Sequence, residues 1–322
     1  MSEVNAVATM KLGKLHQKLL NAKLIILALF VVLLGAAQVA SHGTFFEVQN
    51  ILNILAQNSI SGSLAVGQTM VILSSGIDLS LGSVTALSSI VAAMLQDHGP
   101  LIARSAALGV GLACGLINGM VIVFGRVPPF IATLGMMQAA LGVSYVVSNG
   151  YPIYEKEHVA LAFGLDKLGA VPMIAVLWFL VAVVAWILLR FTRFGAYVYA
   201  IGGNERTALT SGVSVARTKL FIYAFSGLCA AIGGIISINR LGYTQPTLGA
   251  SYTLDSIAPV VLGGTSLFGG VGGVWYTMLG VMVAGTLNNL MVLLGVNIYI
   301  VQIVQGVIIL SFVFLFIRFQ KR

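Results

Sequence analysis

The chain has 322 residues, 58% of them hydrophobic and only 8% charged, with a formal net charge of +8; its mean hydropathy is +1.01. Water-soluble domains carry roughly 25% charged residues, so the composition excludes a soluble enzyme and a disordered chain. A membrane-spanning helix needs about 20 mostly apolar residues, which leaves an all-α, polytopic integral membrane protein. The basic residues are scattered between apolar runs, so they mark membrane orientation and not nucleic-acid binding.

In chain order, residues 1–23 are polar and carry Lys11, Lys14, Lys18 and Lys23 ahead of the apolar run 24–40. A signal peptide is the rival reading, but its apolar core is usually about 7–15 residues. This run is longer and no small-residue cleavage site follows it, so it predicts an uncleaved first helix. Further apolar runs at 51–73, 79–96, 102–124, 129–148, 172–190, 219–239, 255–268, 275–294 and 298–317 bring the expected spans to about ten. Those at 79–96 and 255–268 are short enough to be broken or re-entrant. A single transmembrane domain over 24–317 is expected, with 318–322 as a tail.

An even number of spans puts both termini on one side. That side collects Lys11, Lys14, Lys18, Lys23, Arg126, Arg190, Arg193, Arg206, Arg217, Lys219, Arg318, Lys321 and Arg322, which are 13 of the 17 basic residues. The other side holds only Arg104, Lys156, Lys167 and Arg240, among Glu47, Asp97, Glu155, Glu157, Asp166 and Asp255. Lys and Arg accumulate in cytoplasmic loops. Both termini and the basic segment 191–218 are therefore expected in the cytoplasm, and 149–171 forms an external loop.

The sequence offers no catalytic constellation. His16, His42, His98 and His158 are dispersed at ends and loops, so neither a nucleophilic triad nor a metal site is indicated. No GxxxxGK[ST] phosphate loop occurs, so any ATP-driven step needs an ATPase on another subunit. Cys114 and Cys229 sit inside apolar runs without ligand partners and read as small buried thiols. Gly111, Gly115 and Gly119 share one helix face, which predicts close helix packing, and the glycine-rich 263–273 predicts a tight break between spans. VILSSGIDLSLGSV (71–84) weakly echoes VVLGGTSLFGGVGGV (260–274), as transporter repeats do; chance accounts for the echo equally well.

The segment YAIGGNERTALTSGVSV (199–215) carries the clearest local signal. Asn204 is a good N-cap, Glu205 suits the positive end of a helix dipole, and Gly212 can close the helix in the left-handed conformation. A short capped helix over 205–211 is expected, either a solvated connector or a docking knob whose apolar contacts are Ala208 and Leu209. Asp78 is the acid closest to a span; it is expected at the cytoplasmic mouth, where it either caps the helix starting near Leu79 or gates a path. Amides recur inside apolar runs: Asn53, Gln57, Asn58 and Gln68, then Asn118 and Gln138, then Asn288, Asn289, Gln302 and Gln305. Each can glue helices together. As a set they fit a path for a neutral, hydroxyl-rich solute better than one for an ion, which would need buried acids and bases.

Five collinear stretches, AVGQTMVILSSGIDLSLGSV (65–84), PPFIATLGMM (128–137), RFGAYVYAIGGNERTALTSGVSV (193–215), LDSIAPVVLGGTSLFGGVGG (254–273) and LNNLMVLLGV (287–296), carry a resemblance over about 45–317. The chain resembles the integral membrane permeases of bacterial ABC importers for monosaccharides, the ribose/xylose/arabinose/allose group. That resemblance implies a bacterial inner-membrane location and a homodimer of permease chains. It also implies a cytoplasmic ABC ATPase that binds ATP and Mg, and a periplasmic sugar-binding protein; no cofactor is expected on this chain. By position, the ATPase-contacting helix falls at 202–213, with Gly202, Gly203, Asn204, Glu205, Ala208, Leu209, Ser211 and Gly212 as coupling residues. Asp78, Asn58, Gln68, Asn118, Gln138, Asn288 and Asn289 become the candidates for path or gate.

Departures from the family pattern are specific. Thr253 stands where a glutamate is usual, Pro259 where an alanine is usual, and Ser74-Ser75 replaces a pair often ending in glycine. Thr253 and Pro259 are expected near the external mouth. Two other readings stay open. One keeps the importer but carries a nucleoside or an autoinducer sugar. The other is a self-sufficient secondary carrier or channel, for which Asp78 is the sole candidate coupling acid.

Overall fold

Prolines and glycines set the helix ends. In a computed structural model describing residues 27–28, 30–156, 167–297 and 299–307, three long helices begin at or just after proline: α4 (Pro100–Val123), α5 (Pro129–Ser148) and α6 (Met173–Phe191). Proline suits a first turn, where its missing N–H would find no helical partner. The preceding helices are α1 (Phe30–Ala40), α2 (Val48–Leu73) and α3 (Leu81–Met94), and those that follow are α7 (Arg193–Gly203), α8 (Glu205–Thr210), α9 (Val215–Leu241), α10 (Tyr252–Leu262) and α11 (Val274–Leu293). Residues 299–307 are helical as well. The expected segments 1–23 and 318–322 lie outside the described residues.

The helices α4, α5, α6, α9 and α11 are long and apolar enough to cross a membrane. The two short spans are short in the structure too: α3 has 14 residues and α10 has 11. A ribbon pairs β1 (Ile153–Tyr154) with β4 (Tyr243–Thr244), and a second pairs β2 (Lys167–Leu168) with β3 (Val171–Pro172), both antiparallel. The first ribbon ties the loop after α5 to the end of α9. There the Gln96 amide accepts from the Lys156 N–H at 3.0 Å and donates to the Tyr154 carbonyl at 3.3 Å.

The core is built around α9. Of its apolar window 78% is enclosed by protein, against 17% for the peripheral α5. Within a membrane, helix association relies on close packing more than on burial of apolar surface from water. Small residues supply that closeness: a methyl group on Gly111 would strike the Gly227 carbonyl, and one on Gly115 the Tyr223 carbonyl. The expected face of Gly111, Gly115 and Gly119 is thus the α4 side of the α4–α9 contact. Cys114 and Cys229 are buried free thiols.

Three features differ from expectation. The segment 191–218 contains a helix, α7, ahead of the short capped one; its buried residues Gly195, Val198, Ile201 and Gly202 recur at helical spacing, hidden in the sequence by glycines and flanking cations. The eighth expected span is displaced, with α10 beginning at Tyr252 inside the bundle. Beside it, Gly249 and Gly82 pack so tightly that a methyl on either would meet the other's carbonyl. Thr253 is consequently not at an external mouth: it is buried, and its hydroxyl donates to the Leu79 carbonyl at 3.2 Å.

The two glycine- and serine-rich breaks, 74–80 and 263–273, meet. The Gly270 N–H donates to the Leu73 carbonyl at 3.0 Å. The Ser75 hydroxyl, with one proton to give, lies between the carbonyls of Phe268 at 2.7 Å and Gly202 at 3.0 Å. Ser75 has φ +62°, a conformation that glycine adopts without steric penalty. Serine accepts that strain here and gains a link between three segments.

Two outcomes follow for purified protein melted in detergent. Gly227→Val should destabilise by about 1–3 kcal/mol through overpacking, whereas Gly109→Ala, on α4 with nothing within 4 Å of the added carbon, should be neutral. Ser75→Gly should stay within about 1 kcal/mol, because strain relief offsets the lost bond. Ser75→Val should lose roughly 2–3 kcal/mol, keeping the strain and forfeiting the hydroxyl.

Candidate translocation path and coupling surface

The break between α2 and α3 is held by side chains from four helices: those of α5 and α10 bond its backbone, and those of α4 and α9 bond its side chains. Asp78 is 1% exposed, so it is enclosed by protein and not placed at a mouth. Its carboxylate accepts from the Ser80 N–H at 2.9 Å, the Ser80 hydroxyl at 2.6 Å and the Ser226 hydroxyl at 2.8 Å. The Asn118 amide donates to the Ser80 oxygen at 3.0 Å. A carboxylate bonding the N–H two residues on forms an Asx turn, and here that turn feeds the chain into α3, which starts at Leu81 with Ser80 at its N-cap. Ser226 lies near the middle of α9 along the sequence. Thr133 accepts from the Leu79 N–H at 3.1 Å, and Thr253 bonds the Leu79 carbonyl from the other side.

A groove with a cavity of about 200 Å³ opens between α2, α10, α11 and the helical residues 299–307. It lies in the half of the bundle away from α8, since it borders the first half of α2 while the end of α2 meets Gly202. Asn58, Asn288, Gln57 and Gln305 line it, joined by Arg240, Tyr252 and Asp255. Asn58 Nδ2 and Asn288 Oδ1 are buried without a hydrogen-bond partner. Room at Asn58 depends on Gly285, where any added carbon would overlap the amide. Pro259 also lines the groove; lacking an N–H, it removes the helical donor that the Asp255 carbonyl would otherwise take.

The structure thus brings together only part of the amide set. Asn58 and Asn288 share the groove. Asn289 instead pairs with Asn50 through two bonds of 2.8 and 3.1 Å, a link between α2 and α11. Asn118 supports the Asp78 network, Gln68 is fully buried further along α2 with neither amide atom partnered, and Gln138 is exposed on the outer face of α5. Sequence reading put Arg240 just after one span and Asp255 at the start of the next, both on the external side. Their proximity depends on α10 starting inside the bundle, which apolar periodicity does not encode.

At the opposite end, α8 stands out from the bundle as the sequence predicts. The Asn204 side chain accepts from the Thr207 N–H at 2.9 Å, Gly212 has φ +82°, and Glu205 pairs with Lys219 at 2.7 Å. Gly203, Asn204, Glu205, Leu209, Ser211 and Gly212 are exposed, with Leu209 at 61%. Ala208 is the correction: it is buried on Ile201 and Val215 and roots the helix, leaving Leu209 as the apolar tip. Gly202 is buried against the Leu73 carbonyl, with no space for a side chain.

Residues 50–313 match the family described as branched-chain amino acid transport system / permease component. The ribose import permease protein RbsC of Escherichia coli (strain K12) is 42% identical over 302 residues, 92% of this chain and 92% of that protein. RbsC of Bacillus subtilis (strain 168) is 44% identical over 276 residues, 84% and 86% of the two chains. The D-allose transport system permease protein AlsC of Escherichia coli (strain K12) is 34% identical over 289 residues, 89% and 88%. No solved structure matches. With a family match across most of its length and relatives of this similarity, the chain belongs to the permease components of ABC transport systems and is a multi-pass membrane protein.

Proposed function

We propose that this chain is the membrane-spanning subunit through which an ABC importer moves a monosaccharide, a pentose or hexose, across the bacterial inner membrane. The cargo class rests on relatives named for ribose and allose import and on a groove whose polar lining includes the uncharged amides Gln57, Asn58, Asn288 and Gln305. ATP and Mg belong to a separate cytoplasmic ATPase, a periplasmic binding protein delivers the sugar, and a second copy of this chain completes the assembly. The charge asymmetry of the loops puts α8 and both termini in the cytoplasm.

The observation that carries the mechanism is the way α8 is rooted. Leu209 is exposed for a partner, while Ala208 and Gly202 are locked to the bundle, and Ser75 touches both the α7 end and the 263–273 break. Displacement of α8 by an ATPase is therefore passed to both breaks and to α10, which borders the groove. ATP drives the cycle because it binds the closed ATPase dimer better than the open one, and so shifts the permease between outward- and inward-facing states. Asp78 holds the start of α3 during this exchange, enclosed by donors.

Leu209→Asp and Glu205→Arg should leave the permease folded in the membrane. Copurification of the ATPase should weaken by about tenfold, equivalent to roughly 1.4 kcal/mol, and sugar uptake should fall with it. Unchanged assembly and uptake would overturn the docking assignment. Ion-gradient-dependent sugar flux through the purified chain alone, abolished by Asp78→Asn, would establish a secondary carrier instead.

A further inference from the structure

Granting the monosaccharide reading, we propose that the groove between α2, α10 and α11 is a hydroxyl-binding station for the sugar in transit, with Asn58, Asn288, Asp255 and Arg240 as its contact residues. A buried polar atom without a partner is costly, yet this groove keeps two: the donor Asn58 Nδ2 and the acceptor Asn288 Oδ1. A sugar hydroxyl both donates and accepts, so one ring carrying several hydroxyls can satisfy both.

The charged residues extend the match. Arg240 and Asp255 border the same groove, but among the described residues no ion pair joins them. Each keeps its hydrogen-bonding capacity for a ligand: the guanidinium offers a planar fork of donors and the carboxylate offers acceptors. Size fits as well. The cavity of about 200 Å³ falls below the roughly 300 Å³ at which pockets for drug-sized ligands begin, as a single sugar ring requires. Gly285 is part of the design, since any side chain there would occupy the space of the Asn58 amide.

The test uses the importer purified with its ATPase and binding protein, reconstituted in proteoliposomes. Uptake of ribose, allose and fructose is measured beside uptake of their monodeoxy analogues, with rates normalised to importer recovered. Asn288→Leu, the isosteric Asp255→Asn and the space-filling Gly285→Ala should each lower maximal uptake of the preferred sugar about tenfold. They should also shrink its advantage over at least one deoxy analogue, because a site built to bond a hydroxyl discriminates against its absence. Wild-type rates and discrimination in Asp255→Asn and Asn288→Leu would overturn the station while leaving the importer intact. So would an equal loss for parent and analogues, which marks a purely structural role. If the unaltered importer moves no sugar, or moves a branched-chain amino acid instead, the functional reading fails and the station with it.

Discussion

Backbone polar groups have no water to bond inside a bilayer, so every interruption of a helix there must be satisfied by protein. This chain interrupts two helices, at 74–80 and 263–273, and the surrounding bundle is arranged to supply what the interruptions lack. Thr133 and Thr253 take the N–H and the carbonyl of Leu79, Asp78 takes the Ser80 N–H, Gly270 donates to the Leu73 carbonyl at the end of α2 and Ser75 donates to the Phe268 carbonyl in the other break. The close contacts around α9 serve the same end. Without glycines at 111, 115 and 227, α4 would stand too far from α9 for Asn118 to reach Ser80 while Ser226 reaches Asp78.

The Asp78 network also shows how one ionisable group is held within a mostly apolar protein. A lone carboxylate at the centre of a span costs about 2.5–3.5 kcal/mol on insertion scales. Three donors converge on this one, and the carboxylate in return fixes the direction in which α3 departs. The groove follows the opposite rule. Its amides are left partly unsatisfied, and its two charges are kept apart, so its polar capacity is held in reserve.

Much of this was legible in the sequence. Apolar runs located the helices, the Gly111, Gly115 and Gly119 spacing located a packing face, and Asn204, Glu205 and Gly212 defined α8 almost to the residue. These features are encoded within a few consecutive turns. What escaped is encoded between distant segments. Nothing near Asn289 distinguishes it from Asn288, yet one bonds Asn50 and the other faces a groove, because a one-residue step rotates a helical side chain by about 100°. Ala208 and Leu209 are separated by the same rotation, so only one can be a contact for a partner. Asp255 and Arg240 look like charges at the external ends of two spans until the chain between them is seen to fold back into the bundle.

The same fold-back accounts for the family departures in physical terms. Thr253 sits where α10 meets the break before α3, and a hydroxyl there bonds the Leu79 carbonyl in a place where a glutamate would bring a second carboxylate toward Asp78. Pro259 lies one turn beyond Asp255 on α10 and lines the groove. Ser75 joins the 263–273 break to the end of α7. Thr253 and Pro259 therefore both bear on one element, α10, which is short, proline-interrupted and in contact with the break before α3 and the groove. Its backbone is pressed against α11, where a methyl on Gly280 would meet the Pro259 carbonyl and one on Gly263 the Tyr276 carbonyl. Thr253 and Pro259 thus lie on the one piece that touches both a helix break and the groove.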